Sequence, residues 1–240
     1  MSPVDTAVLL AAGAGTRLRD AAASKPLCVV GERTLIAHAL LGLAEAGMRR
    51  AIVVTGYRAE DVEAHLAAHD WPLAVETVRS PDWREPNGVS ALAAAPLLDG
   101  VPALLAMCDH LVDPALYAHV AQAGAGEGLR LGIDRRLGHA WVDPEDVTCV
   151  ATAGAKITAI GKGLEPHDAY DTGVFAVGPA FFAALRELAA PSITEGVRRL
   201  IEQGASETVD CSAFDWIDVD DATALALANT HLAERAARAA

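Results

Sequence analysis

A glycine-rich segment near the N-terminus carries residue types that suit the binding of a polyphosphate. Gly13 and Gly15 follow an apolar run at 7–10 that is typical of a buried strand. Glycines let the backbone turn tightly, and the N–H groups of such a turn can donate hydrogen bonds to phosphate oxygens. Arg17 and Lys25 place two cations close behind the turn. The segment therefore predicts a nucleoside triphosphate site at the end of the first strand.

Two better-known glycine motifs fit this segment poorly. A dinucleotide fingerprint requires G-x-G-x-x-G, and Leu18 stands where its third glycine would be. A P-loop ends in Gly-Lys-Ser/Thr, and the chain contains no such run. The alternative is an ordinary glycine-rich connection between a strand and a helix, with no role in ligand binding. The two nearby cations argue against this alternative.

The loop and the Lys25-Pro26 pair behind it resemble the signature of nucleotidyltransferases that couple a nucleoside triphosphate to a sugar phosphate or similar phosphomonoester. Within that superfamily the chain resembles the inositol-1-phosphate cytidylyltransferases. The further matching stretches are Thr55-Gly56-Tyr57, Asn87-Gly88-Val89-Ser90, Cys108-Asp109-His110, Gly161-Lys162-Gly163-Leu164, Asp171-Thr172-Gly173 and Trp216-Ile217-Asp218-Val219-Asp220. They follow the family's order over nearly the whole chain. The resemblance implies Mg²⁺-dependent transfer from CTP to inositol 1-phosphate, with release of pyrophosphate.

Acidic residues at strand ends are the predicted metal ligands. Asp109 and Asp218 each end an apolar strand, so their carboxylates should emerge at the carboxyl edge of the sheet, where ligands bind in open α/β folds. Two carboxylates beside a triphosphate suit Mg²⁺, which prefers oxygen ligands. Asp220 should share a strand face with Asp218, as a further ligand or an outer partner. For Asp109 alone, a turn or cap residue is the alternative.

The nucleotide is expected to contact the first loop and an Asn-Gly motif. Asn87 can both donate and accept hydrogen bonds, as the edge of a base requires. A plain turn is the alternative for this dipeptide, and both CTP and UTP fit the pattern. The predicted nucleotide-binding residues are Leu10, Ala11, Ala12, Gly13, Gly15, Thr16, Arg17, Thr55, Asn87, Gly88 and Ser90.

The acceptor is expected to contact the second half of the chain. Lys162, between two glycines, resembles the lysine that binds the acceptor's phosphate, and a surface lysine in a turn is the alternative. His110 is predicted either to touch the acceptor or, preferably, to orient Asp109. The predicted acceptor-binding residues are His110, Asp134, Lys162, Asp171, Thr172 and Gly173. The acidic cluster at 143–146 is interpreted as a solvated loop.

The predicted catalytic residues are Arg17, Lys25, Asp109 and Asp218. A phosphate oxygen of the acceptor is already an anion near neutral pH, so its attack on the α-phosphorus requires no general base. Catalysis then depends on alignment and on neutralisation of charge. The alternatives are the same chemistry on phosphocholine or a sugar 1-phosphate with CTP or UTP, and a non-catalytic nucleotide-sensing subunit. Phosphocholine would require an aromatic cage for its ammonium group.

Composition bounds the class of protein. The chain has 240 residues, 52 % of them hydrophobic, and a net charge of −13, which argues against a nucleic-acid-binding surface. Its four cysteines form no C-x-x-C pair and are expected to be reduced. No signal peptide and no apolar run of roughly 20 residues is evident, so we expect a cytoplasmic protein without membrane insertion. A homo-oligomer is left open.

The alternation of apolar runs predicts an α/β fold with a Rossmann-like, mixed, mainly parallel sheet flanked by helices, and a small antiparallel lid on the acceptor side. We expect one nucleotidyltransferase domain over 1–240, with a nucleotide-binding half at about 1–125 and an acceptor-binding, metal-completing half at about 126–240. The predicted strands are 7–10, 51–55, 73–78, 103–108, 129–134, 147–152, 156–160, 173–177, 208–211 and 216–219. The predicted helices are 34–46, 59–69, 88–98, one that begins at Pro114, 179–188, 193–203 and 221–240.

Overall fold

A computed structural model describes residues 4–239 and places the ten predicted strands and seven predicted helices close to their predicted positions, together with three short strands that were not predicted. The strands are β1 (Thr6–Ala11), β2 (Val29–Val30), β3 (Arg33–Thr34), β4 (Arg50–Thr55), β5 (Ala74–Arg79), β6 (Ala103–Met107), β7 (His110–Val112), β8 (Leu129–Asp134), β9 (Thr148–Ala153), β10 (Lys156–Lys162), β11 (Ala169–Val177), β12 (Ser206–Asp210) and β13 (Trp216–Asp218). The helices are α1 (Leu35–Glu45), α2 (Ala59–Ala67), α3 (Asn87–Leu98), α4 (Pro114–Ala123), α5 (Pro179–Arg186), α6 (Ile193–Glu202) and α7 (Ala222–Ala239).

A nine-stranded sheet runs through the protein in the order β5-β4-β1-β6-β11-β8-β12-β10-β9. Strands β5, β4, β1 and β6 are parallel, as the alternation of strands and helices predicts. Strand β11 then runs antiparallel to β6, β8 and β9, and β10 runs antiparallel to β12 and β9. The mixed α/β fold is confirmed. Its antiparallel strands continue the same sheet on the side that follows β6.

The sheet is covered by apolar side chains on both faces. Along β1, Leu9 faces a layer that includes Leu40 of α1, whereas Val8 faces the layer formed by α3, α5 and α6. Because successive side chains point to opposite faces, a strand between two helical layers is apolar at every position. This arrangement explains why β1 is recognisable in the sequence, and it fixes the position of the glycine-rich loop that follows it.

A second, small sheet carries part of the candidate site. Strands β7 and β13 pair antiparallel over three positions, with Asp218 opposite His110 and Trp216 opposite Val112. Strand β7 is too short to give a periodic signal and was not predicted. Its central residue, Leu111, packs with Ile217 in a separate apolar cluster that also receives α7. This two-stranded sheet lies outside the hydrogen-bond ladders of the main sheet.

Helix α6 begins at a capping box. The Ser192 hydroxyl accepts the N–H of Glu195, and the Glu195 carboxylate accepts the N–H of Ser192. The sequence leaves Ser192 and Thr194 as alternative caps, and the structure selects Ser192. This cap satisfies two N–H groups that would otherwise have no partner at the start of the helix.

Replacing the cap should lower stability. We expect Ser192→Ala to reduce the free energy of unfolding by about 1 kcal/mol, because the N–H of Glu195 loses its acceptor. Urea denaturation followed by circular dichroism measures the change. Thr194→Ala is the matched control and should alter stability by less than half as much. Equal losses in the two variants would contradict the assignment of the cap.

Candidate active site

A cavity of about 570 Å³ opens at the carboxyl edge of the parallel strands. Its wall includes Asp109, which follows β6, and Asp218 at the end of β13. Arg17 of the glycine-rich loop and Lys162 at the end of β10 also face it. Residues from both halves of the chain therefore meet here, with cations and carboxylates on the same wall.

The glycine-rich loop packs against Lys25. Gly15 has a φ of 53°, and a Cβ added there would lie 2.3 Å from the Cβ of Lys25. Any larger residue would meet both a strained backbone and a clash, so glycine is required at this position. Among residues 4–239, the N–H groups from Gly13 to Arg17 have no internal hydrogen-bond acceptor. They are the donors that a phosphate-binding loop requires.

Lys25 lies beneath three carboxylates rather than on the cavity wall. Its Nζ donates to Oδ2 of Asp109 at 2.8 Å, bonds to Asp220 and lies 3.9 Å from Oδ1 of Asp218. Burial by itself would lower the pKa of Lys25, but the three carboxylates outweigh it and raise the pKa above its ordinary value. Lys25 is therefore a permanent cation that holds three strand-end carboxylates together.

Asp109, His110 and Asp218 form the group best suited to hold a cation. Among residues 4–239, one ligand atom from each lies within 4.8 Å of the others. The Oδ1 atom of Asp218 is buried and accepts no hydrogen bond from the described residues. A buried carboxylate oxygen without a donor is what a hard divalent cation such as Mg²⁺ would satisfy, so the residues present fit the predicted metal.

Asp220 has a different place from the one predicted for a direct ligand. Its Oδ1 bonds to Lys25 and its Oδ2 bonds to Arg17. Because both oxygens are engaged by cations, Asp220 ties the glycine-rich loop to the carboxylate cluster. This placement favours the outer-partner role over direct ligation.

His110 is held in place on two sides. Its Nδ1 donates to Oδ1 of Asp109 at 2.9 Å. A Cβ at Gly173 would lie 2.7 Å from the imidazole ring, so only glycine leaves room for it there. Burial would lower the pKa of His110, but Asp218 and Asp109 raise it to about 9. This geometry supports the predicted role of His110 in orienting Asp109.

Asp146 bridges the two sides of the cavity. Its Oδ2 accepts a hydrogen bond from Arg17 at 2.5 Å, and its Oδ1 accepts one from Lys162. These hydrogen bonds hold the pKa of Asp146 well below its usual range. The prediction of a solvated loop was therefore wrong for Asp146, and only the local excess of acidic residues could have drawn attention to it.

The structure places some predicted nucleotide-binding residues away from the cavity. The Thr55 hydroxyl donates to Glu63 at 3.0 Å, and the Ser90 hydroxyl donates to Ser80 at 3.0 Å. Gly88 packs against the backbone of Pro191. The side chains of Leu10, Ala11 and Ala12 are buried in the core, so only their backbone faces the loop. Gly13 and Thr16 are exposed beside Gly15.

Asn87 does lie on the cavity wall. Its Oδ1 accepts the N–H of Ile193 at 2.9 Å, so this oxygen is already engaged. The amide NH₂ group is the part of Asn87 that can still donate to a ligand.

Two of the residues predicted to bind the acceptor are buried instead. Asp134 is 1 % exposed, and its oxygens accept hydrogen bonds from Arg136 and from the Trp216 indole. Thr172 is fully buried and donates to the carbonyl of Gly132 at 2.7 Å. Neither side chain faces the cavity, because both are committed to internal hydrogen bonds.

Asp171 and Gly173 line the cavity as predicted for the acceptor side. The Asp171 carboxylate accepts the N–H of Gly173 at 2.7 Å, and burial raises its pKa to about 6. Aromatic side chains also contribute to this wall, namely Trp141, Phe175 and Trp216.

Comparison with known proteins identifies the family. Residues 7–209 match the model of the MobA-like NTP transferase domain. The chain belongs to this family. The family is one of nucleotidyltransferases, which is what the resemblance of the sequence motifs implies.

Two curated relatives and one solved structure extend the comparison. The chain is 32 % identical over 220 residues to a "Bifunctional IPC transferase and DIPP synthase" of Rubrobacter xylanophilus, and 29 % identical to a protein of the same name from Aquifex aeolicus. These matches cover 89 % and 90 % of this chain but 49 % of each relative, so the chain spans about half of their length. The inositol-1-phosphate CTP transferase from T. maritima superposes with a TM-score of 0.84 at 20 % identity, over 93 % of this chain and 92 % of that one, and shares the fold. No helix within residues 4–239 is long and apolar enough to cross a membrane.

The contacts of Asp146 lead to a binding prediction. Asp146→Asn removes a carboxylate that would compete with bound phosphate groups for Arg17 and Lys162. We expect pyrophosphate, titrated calorimetrically without divalent metal, to bind about two- to fivefold more tightly, since an exposed ion pair contributes up to about 1 kcal/mol.

The matched control for this prediction is Asp143→Asn. Asp143 lies on the same segment and the same wall, but among residues 4–239 its carboxylate accepts only the N–H of Glu145. Its substitution should leave pyrophosphate affinity unchanged. Weaker binding to the Asp146→Asn variant would instead make Asp146 a direct contact of the ligand.

Proposed function

We propose that this protein transfers a cytidylyl group from CTP to inositol 1-phosphate and releases pyrophosphate, in a reaction that depends on Mg²⁺. The observation that carries the proposal is the convergence at one cavity of Arg17, Lys162 and the Asp109–His110–Asp218 group above the buried Lys25. Nucleotidyl transfer requires cationic side chains that bind two phosphate-bearing substrates, together with side chains that can ligate a divalent cation.

The choice of substrates is supported by the relatives. The solved structure with a TM-score of 0.84 is that of an inositol-1-phosphate CTP transferase, and the curated relatives are named as IPC transferases. The stretches quoted from the sequence point to the same branch of the superfamily. CTP rather than UTP, and inositol 1-phosphate rather than another phosphomonoester, are the parts of the proposal that experiment must decide.

In the proposed nucleotide site, the backbone N–H groups from Gly13 to Arg17 bind the β- and γ-phosphates. Arg17, released from Asp146, stabilises the departing pyrophosphate. Lys25, buried beneath the carboxylates, holds them in place where the α-phosphate and the metal would lie. The amide of Asn87 donates to the base.

In the proposed acceptor site, Lys162 binds the phosphate of the acceptor once Asp146 gives way. Asp171 and the backbone of Gly173 face the same part of the cavity and offer hydrogen-bonding groups for hydroxyls. His110 holds Asp109 in the orientation that the metal requires.

Mg²⁺ would be held by Asp109 and Asp218, with Asp220 outside the ligand set. When bound, it would neutralise charge on the α-phosphate and on the departing oxygens. A phosphate oxygen of the acceptor attacks the α-phosphorus in line. The bond between the α-phosphorus and the α,β-bridging oxygen breaks, and pyrophosphate leaves with the electron pair. The residues of this chain align the two phosphates and balance their charge.

The division of the chain into two functional halves is part of the same proposal. Residues up to about 125 supply Arg17, Asn87 and Asp109, whereas later residues supply Lys162 and Asp218. The first half would bind the nucleotide, and the second half would bind the acceptor and complete the metal site.

Pyrophosphate release is the measurement that tests the proposal. We expect release with CTP and inositol 1-phosphate in Mg²⁺ and its loss in EDTA, because the carboxylate cluster alone adds negative charge at the phosphates. The four ribonucleoside triphosphates are crossed with inositol 1-phosphate, phosphocholine and several sugar 1-phosphates. Release with a different pair would correct the substrates. If no pair of substrates releases pyrophosphate although the protein still binds a triphosphate, the result would favour a nucleotide sensor.

Phosphocholine is the second candidate acceptor because of the aromatic wall. Trp141 is partly exposed on the cavity wall and offers an aromatic face of the kind that binds quaternary ammonium groups, whereas Phe175 and Trp216 are only 2 % and 4 % exposed. The same grid separates the two acceptors. Turnover with phosphocholine that exceeds turnover with inositol 1-phosphate would replace the first proposal with the second.

Lys162 provides a direct test of the acceptor site. Lys162→Ala should raise the KM for the acceptor by about tenfold or more and change the KM for the triphosphate little, since a charged hydrogen bond to phosphate is lost on one side. Lys156→Ala is the matched control on the same strand, because Lys156 bonds to Glu207 and to the carbonyl of Gly204. A change confined to the KM for the triphosphate would indicate that Lys162 binds the triphosphate instead of the acceptor.

A further inference from the structure

The small sheet of β7 and β13 requires something to hold it in register with the main sheet. It consists of three residue pairs, yet it carries His110 and Asp218 of the candidate metal group. A two-stranded sheet of this length has little stability of its own. Contacts from outside it must therefore fix where Asp218 lies relative to Asp109, which follows β6 of the main sheet.

Asp134 makes such a contact. It is the last residue of β8 in the main sheet, it is 1 % exposed, and it accepts the indole N–H of Trp216 at 2.9 Å. Arg136 donates to both of its oxygens, with its Nη2 at 2.8 Å from Oδ2 and its Nε at 3.0 Å from Oδ1. A buried carboxylate with all of these donors has one well-defined position.

The end of β8 and the two residues that follow it hold the segment that leads into β13. Arg136 also donates to the carbonyl of Phe214 at 2.7 Å, and the N–H of Arg135 donates to the hydroxyl of Ser212 at 2.8 Å. The N–H of Cys211 donates to the carbonyl of Ile133 at 2.8 Å. The chain is thus tied to β8 from residue 211 up to Trp216, the first residue of β13.

Trp216 links these contacts to the candidate metal group of Asp109, His110 and Asp218. Its ring lies nearly parallel to the imidazole of His110, with ring centroids 6.0 Å apart and an interplanar angle of 13°. Asp218 follows two residues later on the same short strand and pairs with His110 across the ladder. A shift of Trp216 would therefore move both His110 and Asp218.

We propose that Asp134 is a positioning residue for the metal group, acting through the hydrogen bond to Trp216. It fixes β13, and with it Asp218 and His110, against the main sheet. This inference rests on the proposed Mg²⁺-dependent function. It gives Asp134 a role in catalysis without contact with either substrate, and it replaces the role in acceptor binding that the sequence predicted.

The test uses the whole chain and two substitutions. Trp216→Phe keeps an aromatic ring against His110 but removes the indole N–H, and Asp134→Asn removes the charge that binds Arg136. We expect each to weaken the binding of Mn²⁺ to the protein without nucleotide by about tenfold, because partners behind metal ligands commonly have effects of this size. Calorimetric titration with Mn²⁺ measures this affinity, and steady-state kinetics should show a lower kcat with little change in either KM.

Glu207→Gln is the matched control. Glu207 pairs with Arg130 and with Lys156, so its substitution also disrupts a carboxylate–arginine pair of the sheet, but neither of these partners belongs to β13. It should leave Mn²⁺ affinity unchanged whatever it does to the melting temperature. The double variant of Asp134 and Trp216 should lose little more affinity than either single variant, since both act through one hydrogen bond.

The outcomes separate a positioning role from a merely structural one. Lower melting temperatures with unchanged Mn²⁺ affinity in both variants would overturn the inference. If Asp134→Asn does not fold, Trp216→Phe decides by itself. A wild-type protein that binds no Mn²⁺ at millimolar concentrations would also overturn the inference. If the wild-type protein binds Mn²⁺ but turns over no substrate pair, the proposed function would be contradicted, whereas the positioning role of Asp134 would not.

Discussion

The buried ion cluster around Lys25 is the interaction on which the rest of the candidate site depends. Its ammonium group contacts Asp109 and Asp220 and lies close to Asp218, so one cation joins the loop after β1, the end of β6 and the end of β13. Carboxylates brought this close would repel one another without it. Removal of Lys25 would leave three partly buried carboxylates close together without the cation that compensates their charge. The requirement for glycine at Gly15 follows from the same constraint, because the loop must approach the Lys25 side chain closely.

In the proposed function, charge balance would set substrate binding in competition with the internal contacts of the cavity. Arg17 is shared between Asp146 and Asp220, and Lys162 is paired with Asp146. The cations suited to phosphates are thus already matched with carboxylates that phosphates would replace. Replacement of a carboxylate by a phosphate at such a cation requires less free energy than leaving the cation without an anionic partner. The strongly acidic composition of the chain therefore does not prevent a site for anionic substrates, because local pairing decides the electrostatics.

Much of the fold could be predicted because local patterns and tertiary requirements coincide. Strands β1 and β4 are apolar without interruption over residues 7–11 and 51–54, since helices cover both faces of the sheet, and they were recognised from that feature alone. Strand β7 could not be recognised, because three residues give no periodicity. The site follows the same rule. Asp109 and Asp218 were identified from their places at strand ends, whereas the bridging role of Asp146 depends on contacts 129 residues away along the chain.

The sequence by itself determined the order of the helices and of all but the shortest strands, and it predicted a phosphate-binding role for the glycine-rich loop and acidic strand ends that suit a metal. These features depend on neighbours within a few residues, or on burial that every position of a strand shares. Only the tertiary structure decided which polar side chains face the cavity. It turned Thr55, Ser90 and Thr172 inward and buried Asp134 beneath Trp216, because a polar group finds its hydrogen-bond partner in space and not in sequence. Residue type sets which partners are possible, and packing chooses among them.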